Sequence, residues 1–234
     1  GLNNNGAEEI SGRLKEKKFK IPFGVSIART NCAEVADTKK GIEDYVKSFE
    51  IFKSKGVGNY ITINISCPNA FGGQPFSNPE RYEALMREVS KIKVGKPIFI
   101  KMSPDLSFEN IDEIIRISEK YGVSGFICSN LKKENGKITG GFSGKIVEEK
   151  SEALLEHIYR RTKGKKILIG VGGIFSAEDV YRKIRLGASL VQLVTGMIYQ
   201  GPALIGQINH DLSSLLRRDG FRNIEEARGV DVEL

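Results

Sequence analysis

The chain has no CxxC pair, no Cys/His cluster and only two histidines, His157 and His210, so no ligand set for a structural zinc site is visible and no metal is expected. Its three cysteines, an odd number at irregular spacing, argue for a reducing compartment and against a disulfide framework. No apolar run approaches the roughly 20 residues needed to span a bilayer, and no secretory leader is visible. No GxGxxG follows the first predicted strand, which weighs against an open dinucleotide-binding sheet. The chain opens on Gly1 rather than Met, and GLNNNG (Gly1–Gly6) reads as the middle of a loop. An N-terminally incomplete polypeptide is the expectation.

What is present describes an ordinary globular chain of 234 residues, 40% apolar and 28% charged, able to bury a sizeable core. The net charge of +7 comes from 36 basic and 29 acidic residues mixed along the chain, the pattern of a solvated surface more than of a nucleic-acid patch.

Apolar strands alternate with amphipathic helices. Strands are predicted over Ile21–Ala28, Tyr60–Ser66, Pro97–Met102, Gly125–Ser129, Lys166–Val171 and Leu190–Val194. Helices are predicted over Lys39–Lys55, Pro79–Ile92, Phe108–Tyr121 and Val147–Thr162, then from the Ser176 cap to Gly187, and over Pro202–Arg218. Ile42, Val46, Phe49 and Phe52 form the apolar stripe of the first of these. Gly6–Lys18 reads as irregular or weakly helical, and Asn223–Leu234 as a tail with room for a short helix. Ser176 with Asp179 three residues on has the form of a capping box. Near-continuous Val/Ile/Leu strands imply a parallel sheet covered by helices. The fold class is α/β, a (β/α)8 TIM barrel in which six strand–helix units are counted and the first two are missing, forming one domain over residues 1–234.

In such barrels the chemistry collects where strands end. The stretch YITINISCPNAFGGQPF (Tyr60–Phe76) delivers Asn64, Cys67 and Asn69 to that rim, and Pro68 stops the strand from continuing past the thiol. The loop beyond it is long and polar enough to act as a lid. A thiol, with a reference pKa of about 8.5, serves as a general base where its surroundings favour thiolate. Ser26, Lys101, Ser129 and Asn130 stand at other predicted strand ends. Lys101 closes an apolar strand; an ammonium there neutralises a bound anion, forms a Schiff base, or snorkels to solvent. Cys128, in mid-strand, reads as core. Both histidines fall within helices, which makes a histidine base improbable. Gly170–Gly173 (GVGG) and Val194–Gly196 (VTG), each directly before a helix, suit a phosphate approaching backbone N–H groups, or are structural turns.

These residues resemble dihydroorotate dehydrogenases, over essentially the whole chain. The likeness rests on NISCPN (Asn64–Asn69), KMSPDLS (Lys101–Ser107), Ser129–Asn130, GGFSGK (Gly140–Lys145), IGVGGI (Ile169–Ile174) and GASLVQLVTGMIYQGP (Gly187–Pro202). The resemblance implies an FMN enzyme that oxidises dihydroorotate to orotate in pyrimidine (UMP) synthesis, with hydride passing to flavin N5 and a base removing the C5 proton. Cys67 takes the base position. Asn64, Asn69 and Asn130 would hold the substrate, with Gly1 and Leu2 ending another substrate segment. Ser26, Asn64, Lys101 and Ser129 would contact the flavin, and Gly144, Gly172, Gly173, Val194 and Thr195 its phosphate. Cys at the base position is the habit of the soluble branch, which uses fumarate or NAD, whereas the C-terminal third is similar to the quinone-linked branch. Ser26 and Leu131 depart from that branch's usual Asn and hydroxyl residue. Quinone is the favoured acceptor. The resemblance implies a cytoplasmic enzyme at the inner face of the membrane, docked through a segment outside this chain, with no nucleic-acid partner. The alternatives are a Schiff-base aldolase acting through Lys101 and a tRNA dihydrouridine synthase.

Overall fold

A computed structural model describes residues 4–67, 71–129, 131–132 and 140–234. The chain forms two compact units, one of residues 1–101 with 113–124, the other of residues 102–112 with 125–234.

The first unit opens with α1 (Gly6–Lys15), followed by β1 (Gly24–Ala28), α2 (Thr38–Lys55), β2 (Tyr60–Asn64), α3 (Pro79–Val89) and β3 (Ile98–Met102), whose last residue falls in the second unit. β1 pairs with β2 and β2 with β3, both parallel, with Ala28 opposite Asn64 and Asn64 opposite Lys101. Ile61 and Ile63 of β2 are fully buried, with Phe49 and Phe52 of α2 and Tyr82, Leu85, Met86 and Val89 of α3. The sequence dictates the helix ends. Asp37 and Asn78 accept hydrogen bonds from the N–H groups of Lys40 and Arg81 at the starts of α2 and α3, and Gly56 closes α2 in the left-handed region at φ +69°.

Several boundaries differ from the sequence expectation. β1 starts at Gly24 rather than Ile21, because Pro22 cannot donate to a ladder and Ile21 is exposed. β2 ends at Asn64, not Ser66, since the Asn64 side chain accepts the Ser66 N–H (3.1 Å) and hydroxyl (2.9 Å) and turns the chain out of the sheet. α1 is a regular helix, with Glu8 and Glu9 in its first turn and Arg13 and Lys15 in its last, charges that complement the helix dipole. The buried stripe of α2 is Gly41, Tyr45, Phe49 and Phe52; Ile42 and Val46 lie at its edge.

The second unit contains β4 (Gly125–Cys128), α5 (Glu148–Thr162), β5 (Ile167–Val171), α6 (Ala177–Arg185), β6 (Leu190–Gln192), α7 (Thr195–Gln200), α8 (Ala203–Arg218) and α9 (Ile224–Ala227). α4 (Phe108–Lys120) begins in this unit and ends in the first. β4 pairs with β5 and β5 with β6, again parallel. Val180, Tyr181 and Ile184 of α6 bury against Leu204, Ile208, Leu212 and Leu216 of α8. The Ser176–Asp179 capping box is formed as expected. β6 stops at Gln192, two residues short of the expected end at Val194, and the short helix α7, too brief to show a periodicity and not expected, follows at Thr195. Every described ladder is parallel and every described strand pair is joined through helix, the α/β arrangement that the sequence implies. Among the described residues, no helix is long and apolar enough to cross a membrane.

Candidate active site

In the first unit the register sets Asn64 beside Lys101, and three residues beyond Asn64 the chain reaches the half-buried thiol of Cys67. Burial pulls the Lys101 ammonium below its ordinary pKa, while Cys67 acts on it in the opposite sense. The thiol and the ammonium therefore sit at one end of the strands, close enough to feel each other. Asn64 is fixed from two sides: its side chain holds Ser66, and its carbonyl accepts the Tyr45 hydroxyl at 2.8 Å. Burial pushes the Tyr45 phenol up, which keeps it a neutral donor. The return of the chain is tied back by Gln74, whose amide donates to the Ser66 carbonyl (3.2 Å), and by Ser77, whose hydroxyl donates to the Ile65 carbonyl (3.0 Å).

Ser26 lies in the middle of β1, opposite Thr62, two residues short of the strand's end at Ala28. Ser26 is exposed and lines, with Ala28, Thr30 and Asn64, a groove of about 450 Å³ within this unit. Asn69, Gly1 and Leu2 lie outside the described residues, as does Asn130 in the second unit.

In the second unit, Gly144, Gly172 and Gly173 all adopt positive φ, at +81°, +109° and +76°. A Cβ on Gly172 would meet Val147 at 2.8 Å and one on Gly173 would meet Glu148 at 2.6 Å, so at both positions backbone alone fits. A Cβ on Gly144 would come within 3.0 Å of the Thr195 methyl group, and the Thr195 hydroxyl hydrogen-bonds that of Ser143 at 2.9 Å. Bare backbone at Gly144 and the hydroxyls of Ser143 and Thr195 meet where α7 begins, while Gly172 and Gly173 pack against Val147 and Glu148 at the start of α5. Val194 is the exposed residue preceding α7. The GVGG turn is not directly before a helix: Ile174, Phe175 and Ser176 separate Gly173 from α6. Ser129 is fully buried, and its N–H donates to the Val171 carbonyl at 3.2 Å. Cys128 is core, its thiol pushed up in pKa by burial.

The sequence reading missed two groups. One is Arg29, just past β1 and 3% exposed. It follows an apolar strand as Lys101 ends one, and that parallel was the available signal. The other is a charge network joining α5 and α6. Lys145 donates to Asp179 (2.6 Å) and Glu148 (2.9 Å), while Arg182 bridges Glu148, Glu152 and Asp179. These partners lie about 30 residues apart or more for the most part, beyond any local pattern. Among the described residues, no group of three His, Cys, Asp or Glu side chains could hold a metal ion.

A family model described as dihydroorotate dehydrogenase matches residues 1–216. Proteins named dihydroorotate dehydrogenase (quinone) from Sulfurimonas denitrificans and Haloarcula marismortui are 38% and 36% identical to the chain, in each case over 99% of it and 66% of the relative. The one from Myxococcus xanthus is 34% identical over 99% of the chain and 65% of its own length. The chain thus spans about two thirds of the length of these curated relatives. The crystal structure of ligand-free DHODH from Eimeria tenella superposes with a TM-score of 0.81 at 24% identity, covering 96% of this chain and 69% of that one. The same protein in complex with ferulenol gives 0.82, with 96% and 66% covered. The match over nearly the whole chain shows that it belongs to the dihydroorotate dehydrogenase family.

Proposed function

We propose that this chain is the greater part of an enzyme, built as a single FMN-binding (β/α)8 barrel domain, that oxidises dihydroorotate to orotate in the de novo synthesis of UMP. The observation that carries the reading is the pairing of a thiol, Cys67, with a half-buried ammonium, Lys101, beside Asn64 at the ends of parallel strands. The family is flavin-dependent, and bound FMN supplies a hydride acceptor that the reduced substrate carbon alone lacks. Gly144, Gly172 and Gly173, with Val194 and Thr195, would form the cradle for its phosphate, with backbone N–H groups and the Ser143 and Thr195 hydroxyls as donors.

Cys67, as thiolate, takes the proton from C5 of dihydroorotate. Lys101 keeps a positive charge next to where negative charge accumulates, and its partial burial strengthens that interaction. Asn64, its amide oxygen committed to Ser66, would offer its NH2 group to the planar substrate and to the flavin. Asn69 and Asn130 would add two more carboxamides, with Gly1 and Leu2 ending a further substrate segment. Ser26 and Ser129 would contact the flavin. The acceptor is quinone, in keeping with the names of the relatives from Sulfurimonas and Myxococcus. The enzyme works on the cytoplasmic side, with peripheral membrane contact.

The test is direct. The intact protein should purify yellow, bleach on anaerobic addition of dihydroorotate, and recover its colour with a short-chain quinone but not with fumarate or NAD. Recovery with fumarate or NAD instead would assign it to the soluble branch. A colourless protein, or a yellow one that dihydroorotate does not bleach, would overturn the reading.

A further inference from the structure

The Arg29 side chain is an anomaly in the first unit. It is 3% exposed, yet its three described acceptors are all backbone carbonyls. One nitrogen donates to Val35 at 3.0 Å; the other donates to Phe71 and, at 3.4 Å, to Gly73. A buried guanidinium demands partners, and here they come from two separate stretches of chain. Its neighbour Asn31 accepts the Phe71 N–H at 2.6 Å, so the segment around Phe71 is held through both its carbonyl and its N–H. The aliphatic stem of Arg29 is housed as well: a Cβ on Gly41 of α2 would lie 3.1 Å from the Arg29 Cδ.

Phe71 and Gly73 belong to the stretch that returns after Cys67. Arg29 lines a small cleft together with Tyr45, Asn64, Cys67, Gly73 and Gln74. On the upstream side, Cys67 is fixed through Ser66 and Asn64. On the downstream side the anchor is Arg29, with Asn31 beside it.

We infer that Arg29 is a positioning residue for Cys67: its guanidinium, bonded to the Phe71 and Gly73 carbonyls, fixes that stretch against the cleft it shares with the thiol, so that the sulfur is held facing the substrate and shielded from solvent. An arginine suits the task because its rigid fork reaches several carbonyls at once, which a lysine's single ammonium does less well. This inference rests on the proposed role of Cys67 as base.

The test uses the intact, flavin-loaded protein and reads the rate of iodoacetamide alkylation at each cysteine by mass spectrometry. Arg29→Ala should raise the rate at Cys67 roughly ten- to hundredfold, the range expected for losing one or two hydrogen bonds from a charged donor. The rate at Cys128, buried in the second unit and outside this contact, should stay within about twofold. Arg29→Lys should restore part of the protection, and Arg29→Ala should lower kcat for dihydroorotate more than it raises KM, with FMN content unchanged. If Arg29→Ala does not fold, Arg29→Lys and Asn31→Ala take its place, each with a smaller acceleration confined to Cys67. An unchanged Cys67 rate in folded variants, or equal acceleration at Cys128, overturns the inference. Failure of the base reading is distinguishable: Cys67→Ala would then leave reduction by dihydroorotate intact, whatever Arg29 does to alkylation.

Discussion

Asn64 of β2 stands directly opposite Lys101 of β3, so a carboxamide and an ammonium reach the end of the sheet at the same level. Three residues beyond Asn64, Cys67 brings a thiol close enough to act on that ammonium. This register is what turns two ordinary strands into a reactive surface, because a one-residue slip would turn each side chain to the other face.

Replacing Lys101 by Met separates its two effects. Burial lowers the Lys101 pKa, so the folded state releases this proton before the unfolded chain does, and the site's contribution to stability rises with pH as the folded value is passed. Below that value the buried charge costs stability. Lys101→Met is therefore expected to melt slightly higher than the natural protein at pH 7 in the absence of flavin, with a weaker rise in stability at alkaline pH. Its flavin should be reduced by dihydroorotate about 10²–10³-fold more slowly, the usual loss for a group that stabilises developing charge. Calorimetry across pH and anaerobic stopped-flow absorbance check the two halves independently.

Gly173→Ala addresses the phosphate cradle. At φ +76° a side chain costs about 1–2 kcal/mol through backbone strain alone, and its Cβ would approach Glu148 within 2.6 Å. FMN affinity should fall roughly tenfold or more, since about 1.4 kcal/mol is a factor of ten. Riboflavin, which has no phosphate, should lose much less. Flavin fluorescence titration gives both constants, and an unchanged FMN-to-riboflavin ratio would remove this turn from phosphate binding.

Asp179 predicts an acid limit. Burial would raise its pKa, but Lys145, the Phe175 N–H and Arg182 outweigh burial and hold the carboxyl below its usual 3.8. Its stabilising contribution is complete above the unfolded value and disappears as pH falls through the folded one. Asp179→Asn should thus be less stable at pH 7 by about 1–3 kcal/mol, from the lost cap and charged hydrogen bonds. The two proteins should converge only once the pH falls below the ordinary carboxylate range, which urea unfolding at several pH values will show.

Much of this was legible in the sequence because it is local. The Ile-rich strand before Asn64, the breaks around Cys67, the paired glycines and the Ser176 cap each depend on residues within a few positions of one another. What escaped notice depends on distance along the chain. Arg29 gains its meaning only from Phe71 and Gly73, 42 and 44 residues away, and Lys145 from Asp179, 34 away. The α2 stripe moved onto Gly41 and Tyr45 for the same reason: Tyr45 reaches Asn64, and Gly41 leaves room for Arg29 and Phe76. α7 was missed because six residues cannot display a helical period.

The account turns on the thiol, and one measurement addresses it. Cys67→Ala, loaded with FMN and mixed anaerobically with dihydroorotate, should keep its yellow colour bound but bleach about 10²–10⁴-fold more slowly than the natural protein. Bleaching at the natural rate would show that the proton leaves by another route, and that Cys67 is not the base.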